Sequence, residues 1–222
     1  MDGRSTRWSA HNDAQRERII TAAIALYDEG NLDASLQEIG SRAGLSRSVL
    51  YRQFEDRSDL ERAVQQQILD GLLTRISDAI VLTGTVRETL RRAASTYIAW
   101  AAEHPRLHQL GDLDPAASGP LSRAIDRLSE QIAETMVVTF RLSGAEVSEA
   151  DAAATDPLAH GLVGAVFATV RRWVHLGAKV PDVDHLTDLV VESTWAVIDV
   201  RLRAYGLRID PDAPIESLLP PA

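Results

Sequence analysis

The sequence predicts an all-α protein of about nine helices, with a small N-terminal pair of tightly turned helices and a larger helical C-terminal part. Three observations carry this. Apolar residues recur three and four positions apart along most of the 222 residues, which builds one face of a helix. Strict alternation of apolar and polar residues, the mark of a half-buried strand, is absent. Glycine and proline fall between the periodic runs, at Gly30, Gly44, Gly84, residues 111–120, Gly177 and Pro181, where helices stop.

Each element follows from these signals. Ile19, Ala22, Ala23, Leu26 and Tyr27 make one face of a first helix, with Asn12 as its N-cap and Gly30 as its stop. Ser35 and Glu38 stand at capping-box spacing, so a short helix opens there and runs inward through Leu36, Ile39 and Ala43 until Gly44. Ser46 caps the next helix, anchored by Leu50 and Phe54. Ser58 begins a long helix with Leu60, Val64, Ile68, Leu72 and Ile76 as its stripe, broken at Thr83-Gly84. Further helices are expected over Val86–Glu103, from Pro105, over Leu121–Leu142, Pro157–Leu176 and Asp184–Tyr205. The acidic, alanine-rich run at 143–156 reads as a loop, and the proline-containing residues 209–222 as a loosely ordered tail. The domain expectation is a flexible arm at 1–12, a helix-turn-helix domain at 13–60 and a second domain at 61–208.

Composition narrows the function. The net charge is −9 and the sequence pI about 5.1, which argues against coating nucleic acid through bulk charge. There is no cysteine, so disulfides and thiolate metal sites are excluded. The first residues lack the apolar core of a signal peptide and no run has membrane-span length, so a cytoplasmic protein with no membrane partner is expected. No glycine-rich phosphate loop, G-x-S-x-G or H-E-x-x-H run is present, so no catalytic residue and no cofactor is assigned. An all-α enzyme remains the remote alternative.

Against that acidic background stands the run AGLSRSVLYRQFEDR at 43–57. Two short helices joined by a glycine turn form a helix-turn-helix, whose second helix enters the DNA major groove. With Leu50 and Phe54 inward, Ser46, Arg47, Ser48, Val49, Tyr51 and Arg52 lie on or near the outward face. Arginine takes guanine bidentately, serine bonds to either base type, and a valine methyl suits thymine. Tyr51 and Arg57 are placed to take phosphates. Spacing alone leaves a solvated helical hairpin as an equal alternative.

Residues 15–64, including the first helix ending in Tyr27-Asp28-Glu29-Gly30, the LQEIGSRAGLS turn and the LYRQFEDRSDL run, resemble the DNA-binding domain of the TetR family of bacterial transcriptional regulators. The chain departs from that pattern at Ser48, Val49, Arg52 and Gln53, which bears on the operator sequence rather than the binding mode. Arg4 and Arg7 in the arm would suit a minor groove, with a plain tail as the alternative. The resemblance implies a C-terminal domain that binds a small effector and a homodimer built on the last two long helices, with a double-stranded operator as the DNA partner. Consistent with the dimer, these two helices are apolar nearly all round, and Val166, Val170, Val190, Trp195 and Val197 are the candidate interface residues. Tyr97, Trp100, His104, Met136, Phe140, Phe167 and Trp173 are the candidate ligand-binding residues, with plain core as the alternative for each aromatic. They would line a cavity of at least roughly 300 Å³ for a hydrophobic or aromatic ligand. His104 and His108 share no ligating pattern with the other histidines, so no metal is assigned. A constitutive DNA-binding protein with a filled core is the alternative to a ligand-responsive repressor.

Overall fold

The computed structural model describes residues 3–81, 83–111, 119–142, 144, 146–178 and 180–218. Among them nine α-helices follow one another: α1 (Gly3–Asp28), α2 (Leu36–Ala43), α3 (Arg47–Gln53), α4 (Arg57–Ala79), α5 (Val86–Glu103), α6 (Pro105–Gly111), α7 (Pro120–Leu142), α8 (Glu149–His175) and α9 (Val183–Ala204). A 3-10 turn at Ile215–Leu218 comes last. The fold is all-α, and the described residues contain no strand, only one isolated bridge between Thr85 and Pro214.

The chain divides into two compact units. The first holds α1, α2, α3, α4 as far as Gly71, and α6; the second holds α4 from Leu72, then α5, α7, α8 and α9. The expected boundary at residue 60 therefore moves along α4, and α6 joins the first unit although α5 precedes it in the chain. Gln65 shows one reason: its buried amide donates to the Leu110 carbonyl of α6 at 2.8 Å.

In the first unit Ile19, Ala23, Tyr27, Ile39, Leu50, Phe54, Leu60 and Val64 are all but inaccessible. The capping box at α2 is complete: Glu38 N–H donates to Ser35 Oγ at 3.2 Å, and Ser35 N–H donates to Glu38 Oε2 at 2.7 Å. Hydrogen bonds from Ser35 hold the Glu38 carboxyl below its ordinary pKa. Gly44, at φ 64°, adopts the left-handed geometry that ends α2. Ser46 precedes α3 in extended geometry but makes no side-chain cap; its hydroxyl lies 3.0 Å from that of Ser48 instead.

Three boundaries differ from expectation. Helix α1 begins at Gly3, so Asn12 lies inside it; no glycine or proline interrupts residues 4–29, and the Asn12 amide oxygen accepts from Gln53 Nε2 rather than capping a helix. Helix α8 begins at Glu149, not Pro157. Ser148 caps it, accepting from Asp151 N–H at 3.1 Å, and the alanines at 150 and 152–154 favour helix strongly enough to carry Pro157 in its interior. The described part of the tail is not loose. Arg87 N–H donates to Pro211 O at 3.0 Å, Ile215 N–H to Gly84 O at 2.8 Å, and the Arg87 guanidinium forks onto Asp212 at 2.7 and 3.2 Å. Ile215 is buried.

The second unit packs Tyr97, Ile98, Ala101, Leu128, Val163, Val170, Trp173, Leu186 and Val190 with Leu72 and Ile76 of α4. A smaller cluster gathers Met136, Phe140 and Leu202.

Candidate nucleic-acid interface and effector cavity

Helix α3 splits cleanly by exposure. Leu50 and Phe54 are 2% exposed. Arg47, Ser48, Tyr51 and Arg52 are exposed together with Ser46, and Val49 is half-buried beside them. Arg47 and Tyr51, one turn apart, organise each other: the guanidinium sits 5.3 Å from the ring centroid and donates to the hydroxyl at 3.4 Å. Arg52 donates to Gln15 Oε1 of α1 at 3.0 Å. The outward face thus presents two cationic forks, hydroxyls and one methyl-bearing side chain, the chemistry that base edges and phosphates accept.

Other polar residues near this face are structural. Arg57 donates through Nε to Glu61 at 2.6 Å, and through its two terminal nitrogens to the carbonyls of Leu32 at 2.7 Å, Asp33 at 3.2 Å and Ala34 at 3.3 Å. The hydrogen bond to Glu61 raises its pKa further. The carbonyl bonds tie Arg57 to the α1–α2 connection. Gln53 is buried and ties α3 to Asn12. Arg16 donates to the Gln53 carbonyl at 2.6 Å and lies 4.2 Å from the Phe54 centroid, and Arg18 donates to the Ala43 carbonyl at the end of α2 at 2.6 Å. These α1 arginines were missed in the sequence because their partners lie 37 and 25 residues away, beyond any helical spacing. The side chains of Arg4 and Arg7 lie outside the described residues.

In the second unit a cavity of about 240 Å³ opens among α4, α5, α7, α8, α9 and the tail. It is smaller than the expected 300 Å³, and Ile209 and Ile215 of the pinned tail help to wall it. Tyr97, Met136, Phe140 and Phe167 line it as expected, with the Tyr97 and Phe167 rings 4.6 Å apart. Trp100, His104 and Trp173 do not line it. Trp100 tilts against His104 at 5.7 Å, and Trp173 is core, donating to the Pro181 carbonyl at 2.7 Å. No three His, Asp or Glu side chains group for a metal among the described residues.

The candidate interface residues divide in the same way. Val170 is fully buried, and Val166, Val190 and Trp195 line the cavity. Val197 alone faces outward, at 37% exposure, on the α9 face that also bears Leu189 and Val200.

Residues 19–64 match the family model described as bacterial regulatory proteins, tetR family. The chain thus carries a tetR-family DNA-binding domain. Its relatives are regulators rather than enzymes. The chain is 26% identical over 205 residues to an uncharacterised HTH-type transcriptional regulator of Mycobacterium tuberculosis, covering 89% of this chain and 82% of the relative. It is 26% identical over 186 residues to the HTH-type transcriptional activator FasR of Mycolicibacterium smegmatis, covering 82% of each. In fold it resembles a tetR-family regulator from Streptomyces coelicolor, with TM-score 0.66, 21% identity and coverage of 93% and 86%. It also resembles FadR from Bacillus subtilis, solved with stearoyl-CoA, with TM-score 0.59, 18% identity and coverage of 80% and 96%. No described helix is long and apolar enough to cross a membrane.

Proposed function

We propose that this TetR-family regulator is a homodimeric repressor that leaves a palindromic operator when a small hydrophobic or aromatic ligand fills the cavity of its second unit. The observation that carries this reading is an apolar cavity, rimmed by Tyr97, Met136, Phe140 and Phe167, in a chain that also exposes a DNA-reading helix. The long acyl chain of the stearoyl-CoA in the FadR fold relative supports an apolar group as the part that fills such a cavity. Arg47 and Arg52 read bases, Ser46, Ser48 and Val49 complete the groove face, and Tyr51 takes a phosphate. A ligand releases DNA only if it favours the DNA-free conformation, since equal affinity for both shifts nothing.

The test begins with selection of bound fragments from the source genome. On the selected operator, Arg47→Ala is expected to weaken binding by about tenfold or more, about 1.4 kcal/mol, and to relax choice at one base position. Unchanged gel-shift affinity in both Arg47→Ala and Arg52→Ala sinks the reader assignment. Reporter transcription with and without the regulator decides repression against the activation for which FasR is named.

The dimer rests on the outward α9 face. Leu189, Val197 and Val200 expose 50%, 37% and 65% of their surface on a helix whose other apolar side is already in the core. A stable interface there buries more than roughly 1,000 Å². Light scattering is expected to give a dimer at micromolar concentration, and Leu189→Glu combined with Val200→Glu a folded monomer. A dimer that survives both changes places the interface elsewhere.

A further inference from the structure

We infer that the effector enters the cavity without an ionised group, as a neutral amphiphile whose apolar body carries a hydrogen-bond donor such as a hydroxyl. This deepens the effector reading above and rests on it. Among the described residues the cavity wall contains no aspartate, glutamate, lysine, arginine or histidine. An ion taken out of water against such a wall is uncompensated and unfavourable unless it neutralises. Three cations of neighbouring segments are engaged elsewhere. Arg87 pairs with Asp212, Arg92 donates to the Val81 and Thr83 carbonyls, and Arg201 pairs with Asp151.

The wall is nevertheless not wholly apolar. Gln131, Thr135 and Thr139 line it at intervals of four on α7, so they form one polar stripe about 12 Å long at 1.5 Å rise per residue. Thr89 of α5 and Thr194 of α9 add hydroxyls on other sides. Two of these hydroxyls have their protons placed. Thr135 donates to the Gln131 carbonyl at 2.8 Å, and Thr89 donates to the Val81 and Thr85 carbonyls at 3.1 Å. A hydroxyl whose proton is engaged offers lone pairs only. It therefore suits a ligand that donates, as an alcohol, phenol or amide does. A carboxylate or phosphate, an acceptor with a full charge, meets no counter-ion among the described wall residues, and the Thr135 and Thr89 hydroxyls turn lone pairs rather than protons toward it. An acyl chain attached to a charged carrier would have to keep the carrier outside this wall.

The test uses the full-length protein at pH 8, with 1-alkanols from hexanol to dodecanol, the matching carboxylates and decanoyl-CoA, each displacing Nile red. The expected result is alkanol binding at least tenfold tighter than that of the carboxylate of equal length, and weaker binding by decanoyl-CoA. Ala94→Phe, which fills the cavity from its α5 wall, lowers alkanol affinity at least tenfold, with the far-UV spectrum and melting curve confirming the fold. Thr135→Lys, at a partly exposed wall position, supplies a cation and moves the preference toward the carboxylate by at least tenfold. A carboxylate or decanoyl-CoA that binds the native protein as tightly as the alkanol overturns the neutral-ligand inference and leaves the effector reading standing. Binding by none of the series overturns both.

Discussion

Phe54→Ala is expected to cost about 3–5 kcal/mol of stability, the range for removing a buried aromatic ring, and to abolish DNA binding at the same time. Phe54 ends α3 in extended geometry, its N–H donating to the Leu50 carbonyl at 2.9 Å. Its ring is 2% exposed and carries the Arg16 guanidinium 4.2 Å from its centroid. Arg16 in turn holds the Gln53 carbonyl. Loss of the ring leaves a void and a cation without its seat, in a unit too small to hold stability in reserve. The measurement is denaturant unfolding followed by circular dichroism, with Phe54→Leu as the partial loss. An unchanged midpoint in Phe54→Ala would show that α3 is held by something other than this contact.

Arg57→Ala is expected to destabilise the first unit by about 2–3 kcal/mol. The substitution strips three carbonyls of the α1–α2 connection and one carboxylate of their donor. Arg57 is 41% exposed, so water replaces part of what is lost and the figure stays well below the sum of four bonds. Arg57→Lys separates this role from a phosphate contact. A lysine keeps the charge but cannot fork to several acceptors at fixed angles. It is expected to restore little of the melting temperature. A phosphate contact would instead be restored by lysine, and its loss would flatten the salt dependence of operator binding. A full rescue by lysine, with a salt slope that Arg57→Ala reduces by about one, would return Arg57 to the DNA.

What the sequence made legible follows the range of the interactions involved. The Ser35 and Glu38 capping box, the Gly44 turn, the inward anchors Leu50 and Phe54, and the α4 stripe are set within four residues along the chain. Each stands where the spacing put it. Asn12 and Arg57 look like a cap and a phosphate ligand by the same local reading. Their partners, Gln53 and the carbonyls at 32–34, are brought near only by the packing of α1 on α2 and α3. Pro157 suggested a helix start because proline suits a first turn. Glu149 and the alanines at 150 and 152–154 upstream outweighed it. The candidate interface on α8 and α9 shows the limit most plainly. A helix apolar on all sides does not say which side its own core takes, and the core took Val170 and Val190 while leaving Val200 outside. Four of the seven ligand candidates lie on the cavity. Trp100 and Trp173 share its helices, and His104 follows α5, but none of the three lines it.

The pinned tail has a genetic consequence. Every residue of the first unit is encoded before codon 122, and every described α-helix before codon 205. A nonsense change between codons 206 and 209 would therefore spare the DNA-reading helix and all the helical walls of the cavity. It would delete Ile209 and Ile215 from that wall, together with the Pro211, Asp212 and Ile215 links to the start of α5. Such an allele keeps the coding for the helix-turn-helix unit and loses part of the cavity wall. Its phenotype differs in kind from that of a missense change in α3.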